Sequence, residues 1–442
     1  MAKSGSKLIY VMGVFLIGII TGGIFYYLEW EKPQIRLADD IEIISAHKDI
    51  SITLVDMKSG LRSYRVSLLQ EDKEYEVAQA DLPLKGTFEK KLDIEIVPSK
   101  LNIKDGKALL IVHAVDFSPL KNSVSISKEV SIDSVPPQVA LISTAHYVNP
   151  GGTCLVLYSA SDDAVVSGVR CGESLFPGAP VRIGDISCYL SYVAVPMDIL
   201  SSTPVAVMAR DKASNESMAE VSFYVRDRGF RKDKVNLGDS FINGKASQFR
   251  MKAPSLAEKT PLQIFAYLNE TLREENNRMI DSICDKTDEK QLWQGAFLRM
   301  KNAATMALFG DRRTYMYKGA AIGESIHRGI DLASVRQAPV QAANKGRVLF
   351  ASDLGIYGNT VIIDHGQGLA SLYAHLSVIK VQEGQEVDKG KVIATSGATG
   401  FAGGDHLHFS MLVHGVFVDP VEWWDAHWIQ DNVELKLSGN PG

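Results

Sequence analysis

The sequence predicts a mainly β, multidomain protein with an N-terminal transmembrane helix and a short helical segment before the last domain. Three observations support this prediction: an uncharged apolar stretch near the N-terminus, Val-, Ile- and Ser-rich runs with turn residues about every 8 to 12 positions, and a C-terminal region rich in histidine and glycine. A chain of 442 residues has room for roughly three domains. The net charge of −5 leaves no strongly basic field, so we expect no nucleic-acid partner.

Residues 8–28 predict a transmembrane anchor. They carry no charge, and at about 1.5 Å per residue they cover the roughly 30 Å of a bilayer core. Lys3 and Lys7 precede the segment and Glu29 follows it. Residues 1–7 should therefore lie in the cytoplasm, and the rest of the chain outside the cytoplasmic (inner) membrane. A cleaved signal peptide is the alternative, but no small-x-small cleavage site follows the segment, which favours an uncleaved anchor.

Two immunoglobulin-like β-sandwich domains are predicted after the anchor, at residues 29–135 and 136–228. The stretch around Asp116 resembles the stretch around Asp211, and aligning them gives a period close to the roughly 100 residues of such a domain. Pro136 begins the second domain, since proline interrupts a sheet ladder. We interpret the pair as a stalk. Glycan- or partner-binding modules are the alternative, for which no residue can be named.

The cysteines do not form a disulfide framework or a zinc site. Cys154, Cys171 and Cys188 are close enough in sequence for one disulfide in an oxidising compartment, although the sequence does not say which pair. Cys284 would be a single thiol on a helix.

Residues 229–310 predict a linker and a helical segment. Thr260, Pro261 and Gln263 form a capping-box start. Apolar residues then recur at helical spacing, first at Leu262, Phe265, Leu268, Leu272 and Met279, and again at Leu292, Trp293, Phe297 and Met300. We expect two helices over residues 260–306. They either pack on a neighbouring domain or cover a cleft, and the sequence leaves both open.

The C-terminal region contains a candidate metal site. His327 and Asp331 are four residues apart, and His406 and His408 are two apart on a predicted strand, so the last two project from one face. Straight strand would place His327 about 13 Å from Asp331, too far to share a metal. The chain must therefore bend between them, and Gly329 could permit the bend. Two histidines and one carboxylate with an open position are typical of catalytic zinc.

A base and an oxyanion donor are also required for hydrolysis. Tyr373 and His375 supply a further candidate pair, because they should share one face of a strand. The remaining histidines of the region, His365, His414 and His427, are interpreted as structural; the first two lie at turn signals.

Four motifs in order resemble the lysostaphin-like (LytM-type) zinc metallopeptidases: His327-x3-Asp331, Gly358 to Gly366, Leu372 to Ser377, and His406 to Phe409. The resemblance covers about residues 311 to 428. It implies a compact, mostly antiparallel β domain with a groove, which we place at residues 311–430, followed by a tail at 431–442. It also implies one zinc ion per chain, held by His327, Asp331 and His408, with His375 and His406 as the catalytic pair beside the bound water.

The resulting hypothesis is a membrane-anchored zinc endopeptidase that hydrolyses peptide bonds of peptidoglycan, with its catalytic domain in the periplasm or extracytoplasmic space. A non-catalytic cell-wall-binding or amidase-activating protein of the same fold is the alternative. Such proteins typically lose metal ligands, whereas this chain has all of them. An endopeptidase acting on a folded protein is a third possibility.

One departure from the family motif concerns substrate preference. This chain reads Phe401 to Asp405 where many relatives have a Ser/Thr-Gly-Pro-type segment, and Asp405 adds a negative charge near the metal.

Overall fold

The computed structural model describes residues 10–19, 21, 29–83, 86–143 and 146–438. About half of the predicted anchor at residues 8–28 therefore lies outside the described residues, and its described part, 10–19 and 21, is helical. Within these described ranges, no helix is both long enough and apolar enough to cross a membrane. The chain is mainly β, as predicted, and forms two compact units: Met1–Pro137 with Arg210–Glu216, and Gln138–Ala209 with Ser217–Gly442.

The first unit contains two β-sheets whose apolar faces share one core. The inward positions of alternating strands, such as Ile52, Leu68 and Val112, are fully buried there. In sheet order, the smaller sheet contains Gln34–Leu37, Lys48–Val55 and Glu89–Ile96. The larger contains Ile43–Ile44, Ser123–Ile132, Gly106–Asp116, Leu61–Gln70 and Lys73–Asp81, and a short helix spans Pro98–Leu101.

The two copies of the sequence repeat form equivalent turns, each closed by an Asp and an Asn. The Asp116 carboxylate accepts a hydrogen bond from the Asn122 amide at 2.9 Å, and the Asp116 N–H donates to the Asn122 carbonyl at 3.1 Å. Asp211 and Asn215 make the same two contacts, at 2.9 and 3.1 Å. A buried carboxylate needs such donors, which explains why Asp and Asn recur at these turns.

The second unit begins with a further pair of four-stranded sheets. One contains Ala179–Ile183, Ile186–Ala194, Thr153–Ala160 and Val139–Leu141; the other contains Ser174–Pro177, Ala164–Cys171, Val205–Asp211 and Glu216–Glu220. A parallel pair of short strands, His146–Val148 and Phe223–Val225, lies beside them.

The expected disulfide is not formed, because all four cysteines are free and buried. Cys154 and Cys188 lie on paired strands but out of register, since Cys154 is opposite Val193 and Cys188 is opposite Val181. Cys171 lies in the other sheet. The strand register therefore separates Cys154 from Cys188.

The C-terminal domain is built on one large antiparallel sheet, which we call the central sheet. Its strands, in order, are Ala304–Ala307, Ile330–Ala333, Leu407–Val413, Leu369–Leu376, Asn359–Gly366, Gly346–Asp353 and Glu386–Val387, with Val416–Val418 paired to Leu407–Val413. Two three-stranded sheets flank it: Pro339–Gln341, Val392–Thr395 and Val378–Ile379, and Lys232–Asn236, Arg312–Tyr317 and Ala320–Ile326. A 3-10 turn spans Gly355–Tyr357, and the described chain ends in the helical turns Pro420–Trp424, Ala426–Ile429, Gln430–Glu434 and Leu435–Leu437.

Residues 239–284 are mostly helical, and we call them the helical segment. It contains Asp239–Lys252, Pro254–Leu256, Pro261–Tyr267, a π-helical turn Leu268–Leu272, and Arg273–Cys284. The predicted capping box at Thr260 is confirmed.

The second predicted helix is wrong, because residues 285–303 form no helix. Their backbone bonds elsewhere: Leu292 N–H donates to the His365 carbonyl and Phe297 N–H to the Trp423 carbonyl, each at 2.8 Å. The side chains of Trp293 and Phe297 are buried on Trp423, with ring centroids 5.5 Å apart in both cases. Tertiary packing therefore produced the apolar spacing that resembled a helix.

Within the second unit, Glu422 joins the four-stranded sheets to the C-terminal domain. Its carboxylate accepts hydrogen bonds from the Asn149 amide at 2.8 Å and the Thr153 N–H at 2.7 Å. At Gly152 a side-chain carbon would lie about 2.3 Å from this carboxylate, so only glycine fits. Burial raises the pKa of Glu422 to about 7, although Asn149 and Thr153 oppose the shift. This contact holds the two parts of the unit together, and it buries an ionisable group.

We expect Glu422→Gln to reduce the loss of stability at rising pH. Because the folded pKa of about 7 lies above the ordinary 4.5, the carboxyl destabilises the fold as pH rises through that window. Between about pH 5 and about pH 8, wild type should lose about 2 to 3 kcal/mol more stability than the variant. Thermal unfolding at the two pH values tests this, with the exposed Glu434→Gln as control. A variant that loses as much stability as wild type between them would contradict the assignment.

Candidate metal centre

Two central strands bring the predicted metal ligands together. Asp331 and His408 lie directly opposite each other in the register of Ile330–Ala333 with Leu407–Val413. His327 follows the strand Ala320–Ile326. Gly329 lies at the bend, as expected, but for a reason that the sequence did not show: a side-chain carbon there would come about 2.5 Å from Ser410 Oγ and 2.6 Å from His408 Nε2. Close packing on the ligand strand requires glycine at this position.

Three ligand atoms converge. Asp331 Oδ1 lies 2.9 Å from His327 Nε2 and 2.9 Å from His408 Nδ1, and the two nitrogens are 3.0 Å apart. The opposite ring nitrogen of each histidine has its own partner, since His327 Nδ1 donates to the Leu308 carbonyl at 2.9 Å and His408 Nε2 lies 3.1 Å from Ser410 Oγ. These outer contacts fix which nitrogen of each ring faces the centre.

The site fits a zinc ion. All three ligand atoms lie within 4.8 Å of one another, and all three residues are largely removed from solvent. Two imidazole nitrogens and one carboxylate oxygen are a donor set that zinc prefers, with a fourth position left for water. The other Asp331 oxygen accepts a hydrogen bond from Arg313 at 3.2 Å, which holds the carboxylate in place. Burial opposes the charge of Asp331, but His327 and its neighbours hold its pKa well below the usual range.

His375 and His406 lie beside this cluster, as predicted. Their ring centroids are 4.9 Å apart, and His375 is 5.8 Å from the ring of His408. Each donates through Nδ1 to a carbonyl, His375 to Thr399 at 2.9 Å and His406 to Gly404 at 2.8 Å, so each presents Nε2 elsewhere. His406 Nε2 lies 3.5 Å from Asp331 Oδ1. Burial, followed by the neighbouring histidines, keeps the pKa of His375 well below its ordinary value, so its ring is neutral.

Tyr373 and His375 do not share a face, so that prediction is wrong. Tyr373 packs on Phe409, with centroids 5.3 Å apart, and its hydroxyl accepts hydrogen bonds from Ala343 N–H at 2.7 Å and Ser371 Oγ at 2.9 Å. His375 has φ of +60°, in the left-handed region. This backbone rotation turns its ring away from the Tyr373 face and toward the metal cluster.

The other predicted residues lie apart from the cluster. His365 is buried between the Lys345 carbonyl and Ser371, and His414 is also buried. His427 is exposed on a short helix. The Asp405 carboxylate is held by Ser396 Oγ at 2.6 Å and Gln337 N–H at 3.1 Å, so its charge is directed to those donors rather than to the metal cluster.

A cavity of about 140 Å³ opens above the cluster, and we call it the groove. The helical segment forms one of its walls. Phe265 packs on Tyr315 and Phe401, with centroids 5.4 and 5.7 Å apart, and Tyr357 donates to Asn277 at 3.0 Å. The first possibility raised by the sequence is therefore confirmed, because these helices pack on the domain, and Arg273 of the same segment lines the cleft.

Sequence reasoning missed the groove residues outside the motifs. They include Arg273, Arg313, Tyr315 and Tyr357. None of them stands in a spacing that signals chemistry, and Arg273 reaches the groove only through the packing of a distant helix.

Comparison with known proteins finds a family that resembles this part of the chain. Residues 325–420 match the family model described as Peptidase family M23. We call these residues, which include the metal cluster, the M23 domain. The predicted resemblance to lysostaphin-like peptidases is confirmed by this match. The catalytic domain of lysostaphin from Staphylococcus simulans is among the structural neighbours, at 26% identity and a TM-score of 0.24, covering 28% of this chain and 92% of that one.

Two curated relatives of the M23 domain have different names. The DD-carboxypeptidase/endopeptidase Mpg of Neisseria meningitidis serogroup B is 43% identical over 96 residues, or 22% of each chain. The murein hydrolase activator NlpD of Salmonella typhimurium is 39% identical over 101 residues, or 23% of this chain and 26% of that one. The chain thus spans about a quarter or less of the length of these relatives.

We expect glycine to be tolerated at position 375 better than alanine. A left-handed φ costs an L-residue about 1 kcal/mol or more, and glycine lacks this cost. His375→Gly should therefore unfold at a higher denaturant concentration than His375→Ala. The matched control is Ala374→Gly on the same strand, which should destabilise because its φ is not in the left-handed region. Equal stability of the two His375 variants would contradict the conformational argument.

Proposed function

We propose that this protein is a zinc-dependent endopeptidase that hydrolyses peptide bonds of peptidoglycan outside the cytoplasmic membrane. The observation that supports it most strongly is the convergence of His327, Asp331 and His408 within the M23 domain, with His375 and His406 beside them. We assign the first three as ligands of one zinc ion per chain and the other two as the catalytic pair. The name of the Neisseria relative, a DD-carboxypeptidase/endopeptidase, supports hydrolysis of peptide bonds. The name of the Salmonella relative, a murein hydrolase activator, supports the cell wall as the site of action.

Zinc, when bound, would lower the pKa of its water and polarise the scissile carbonyl. The chain's own residues supply the remaining requirements. Arg313 and the carbonyl of Leu308 hold Asp331 and His327 in position. Because each Nδ1 donates to a carbonyl, Nε2 of a neutral ring at either position can accept a proton. A ring that has taken this second proton on Nε2 can donate it to the oxyanion.

A non-catalytic activator of cell-wall hydrolases is the second candidate, because a relative of the M23 domain is named a murein hydrolase activator. The complete donor set and both neighbouring histidines favour hydrolysis in this chain.

The proposal extends to location: residues 8–28 anchor the protein in the cytoplasmic membrane, and the β domains at 29–135 and 136–228 form a stalk that places the M23 domain in the extracytoplasmic space.

The central test compares wild type, His408→Ala and the exposed His427→Ala in a chain that starts at residue 29. We expect about one zinc per chain and release of new amino groups from purified peptidoglycan for wild type and His427→Ala, and loss of both for His408→Ala. Metal analysis and amine labelling measure the two quantities. Zinc binding without hydrolysis would favour the activator, and absence of zinc from wild type would contradict the proposal.

The anchor is tested separately. We expect the full chain to remain with the membrane fraction in high salt and to be released by detergent, because burial of an apolar span is insensitive to salt. The chain that starts at residue 29 should be recovered without detergent. Recovery of the full chain in the soluble fraction would remove the anchor from the proposal.

A further inference from the structure

The groove carries more positive than negative charge. Arg273, Arg313 and Arg328 line it, whereas Asp331 is the single acidic residue among its described lining residues. Arg313 pairs with Asp331 at 3.2 Å. Neither Arg273 nor Arg328 forms an ion pair with any residue that the structure describes. Two cationic side chains without an anionic partner beside a metal site indicate an anionic ligand.

Arg273 is held in a fixed orientation. Its Nε donates to the Asn269 carbonyl at 3.0 Å and one terminal nitrogen donates to Asn269 Oδ1 at 3.2 Å. Asn269 is itself 2% exposed and donates to the Glu324 carbonyl at 2.9 Å, which ties it to the strand Ala320–Ile326. Arginine has five N–H donors, so the remaining ones are available to a ligand in the groove.

The backbone contributes to this orientation. The π-helical turn Leu268–Leu272 ends immediately before Arg273. Such turns shift the side chains that follow and often occur at functional sites. The shift places a side chain of the helical segment in the groove, so this segment contributes a ligand-binding group as well as a wall.

Arg328 lies next to His327 in sequence. Its guanidinium lies over the ring of Phe417 at 5.6 Å, and Phe417 stacks on Tyr357, with centroids 6.3 Å apart. Tyr357 in turn lies 5.8 Å from the ring of His408. Through these contacts, the Arg328 guanidinium is placed on the side of the groove next to His408.

We propose that Arg273 and Arg328 bind a carboxylate of the substrate peptide next to the scissile bond. The inference rests on the proposed peptidase function and specifies its substrate class. Guanidinium groups match carboxylates in shape and charge and bind them through paired hydrogen bonds. In a peptidoglycan stem peptide this carboxylate has two sources: the free C-terminus of a peptide that is not cross-linked, or the side chain of a diamino acid next to the cut.

The test uses the full-length chain, in detergent, with three variants: Arg273→Met, Arg328→Met and Arg278→Met. Arg278 is the matched control, because it is exposed on the same helix and does not line the groove. The probes are two pairs of synthetic stem peptides. One pair differs only in a free or amidated C-terminus, and the other only in a free or amidated diamino-acid side chain.

We expect wild type to prefer the carboxylate member of one pair by about 10- to 100-fold in kcat/KM, mainly through KM, as for a charge-assisted hydrogen bond. The pair that shows the preference identifies the source of the carboxylate. Arg273→Met and Arg328→Met should each reduce this preference while keeping the zinc content, and Arg278→Met should keep it. Equal rates for both members of both pairs, or equal losses on acid and amide, would overturn the assignment.

Binding to the metal-free protein separates this inference from the peptidase proposal. Calorimetry after chelation should still show tighter binding of the carboxylate peptide to wild type, with the difference reduced in Arg273→Met. If zinc binds and no peptide is hydrolysed while this difference persists, the peptidase proposal fails and the carboxylate site stands. If the difference is absent, the carboxylate site fails whether or not hydrolysis occurs.

Discussion

The cross-strand pair of Asp331 and His408 is the contact on which the metal centre depends. Antiparallel register sets these residues opposite each other in the interior of the central sheet, where His408 is buried and Asp331 is largely removed from solvent. A carboxylate in such a place needs several partners, and it has His327, His408 and Arg313. The cluster therefore stabilises the ionised form of Asp331, and the sheet holds the cluster together.

Two backbone features adapt the sheet to this chemistry. Gly329 lets the chain carrying His327 approach the ligand strand so closely that a side chain would collide with His408. The left-handed conformation at His375 breaks the alternation of its strand. It places the His375 ring on the face of the metal cluster, whereas regular alternation would place it on the same face as Tyr373. Gly329 loses more conformational freedom on folding than another residue would, and the positive φ of His375 is a strained conformation. Such features are common where side chains must converge on one point.

The ligand set was implied by the resemblance of four ordered motifs, and local spacing indicated a candidate metal site without assigning its ligands. His327 with Asp331, and His406 with His408, form short motifs whose geometry follows from strand period and one bend. The faces of Tyr373 and His375 could not be predicted, since a positive φ at a histidine leaves no signature in the spacing. The apolar spacing of Trp293 and Phe297 predicted a helix wrongly for a different reason. Both side chains are apolar because they are buried against Trp423, and the segment that carries them is not helical. Arg273 was missed because tertiary packing alone brings it to the groove.

Zinc-edge X-ray absorption of the purified protein is the most direct test of the central claim. The account predicts two imidazole nitrogens and a carboxylate oxygen at about 2.0 to 2.2 Å from the metal, with light-atom scattering from water completing the shell. Replacement of Asp331 by alanine should remove the carboxylate contribution or the metal itself. A sulfur ligand at about 2.3 Å, or a spectrum unchanged by that replacement, would contradict the account.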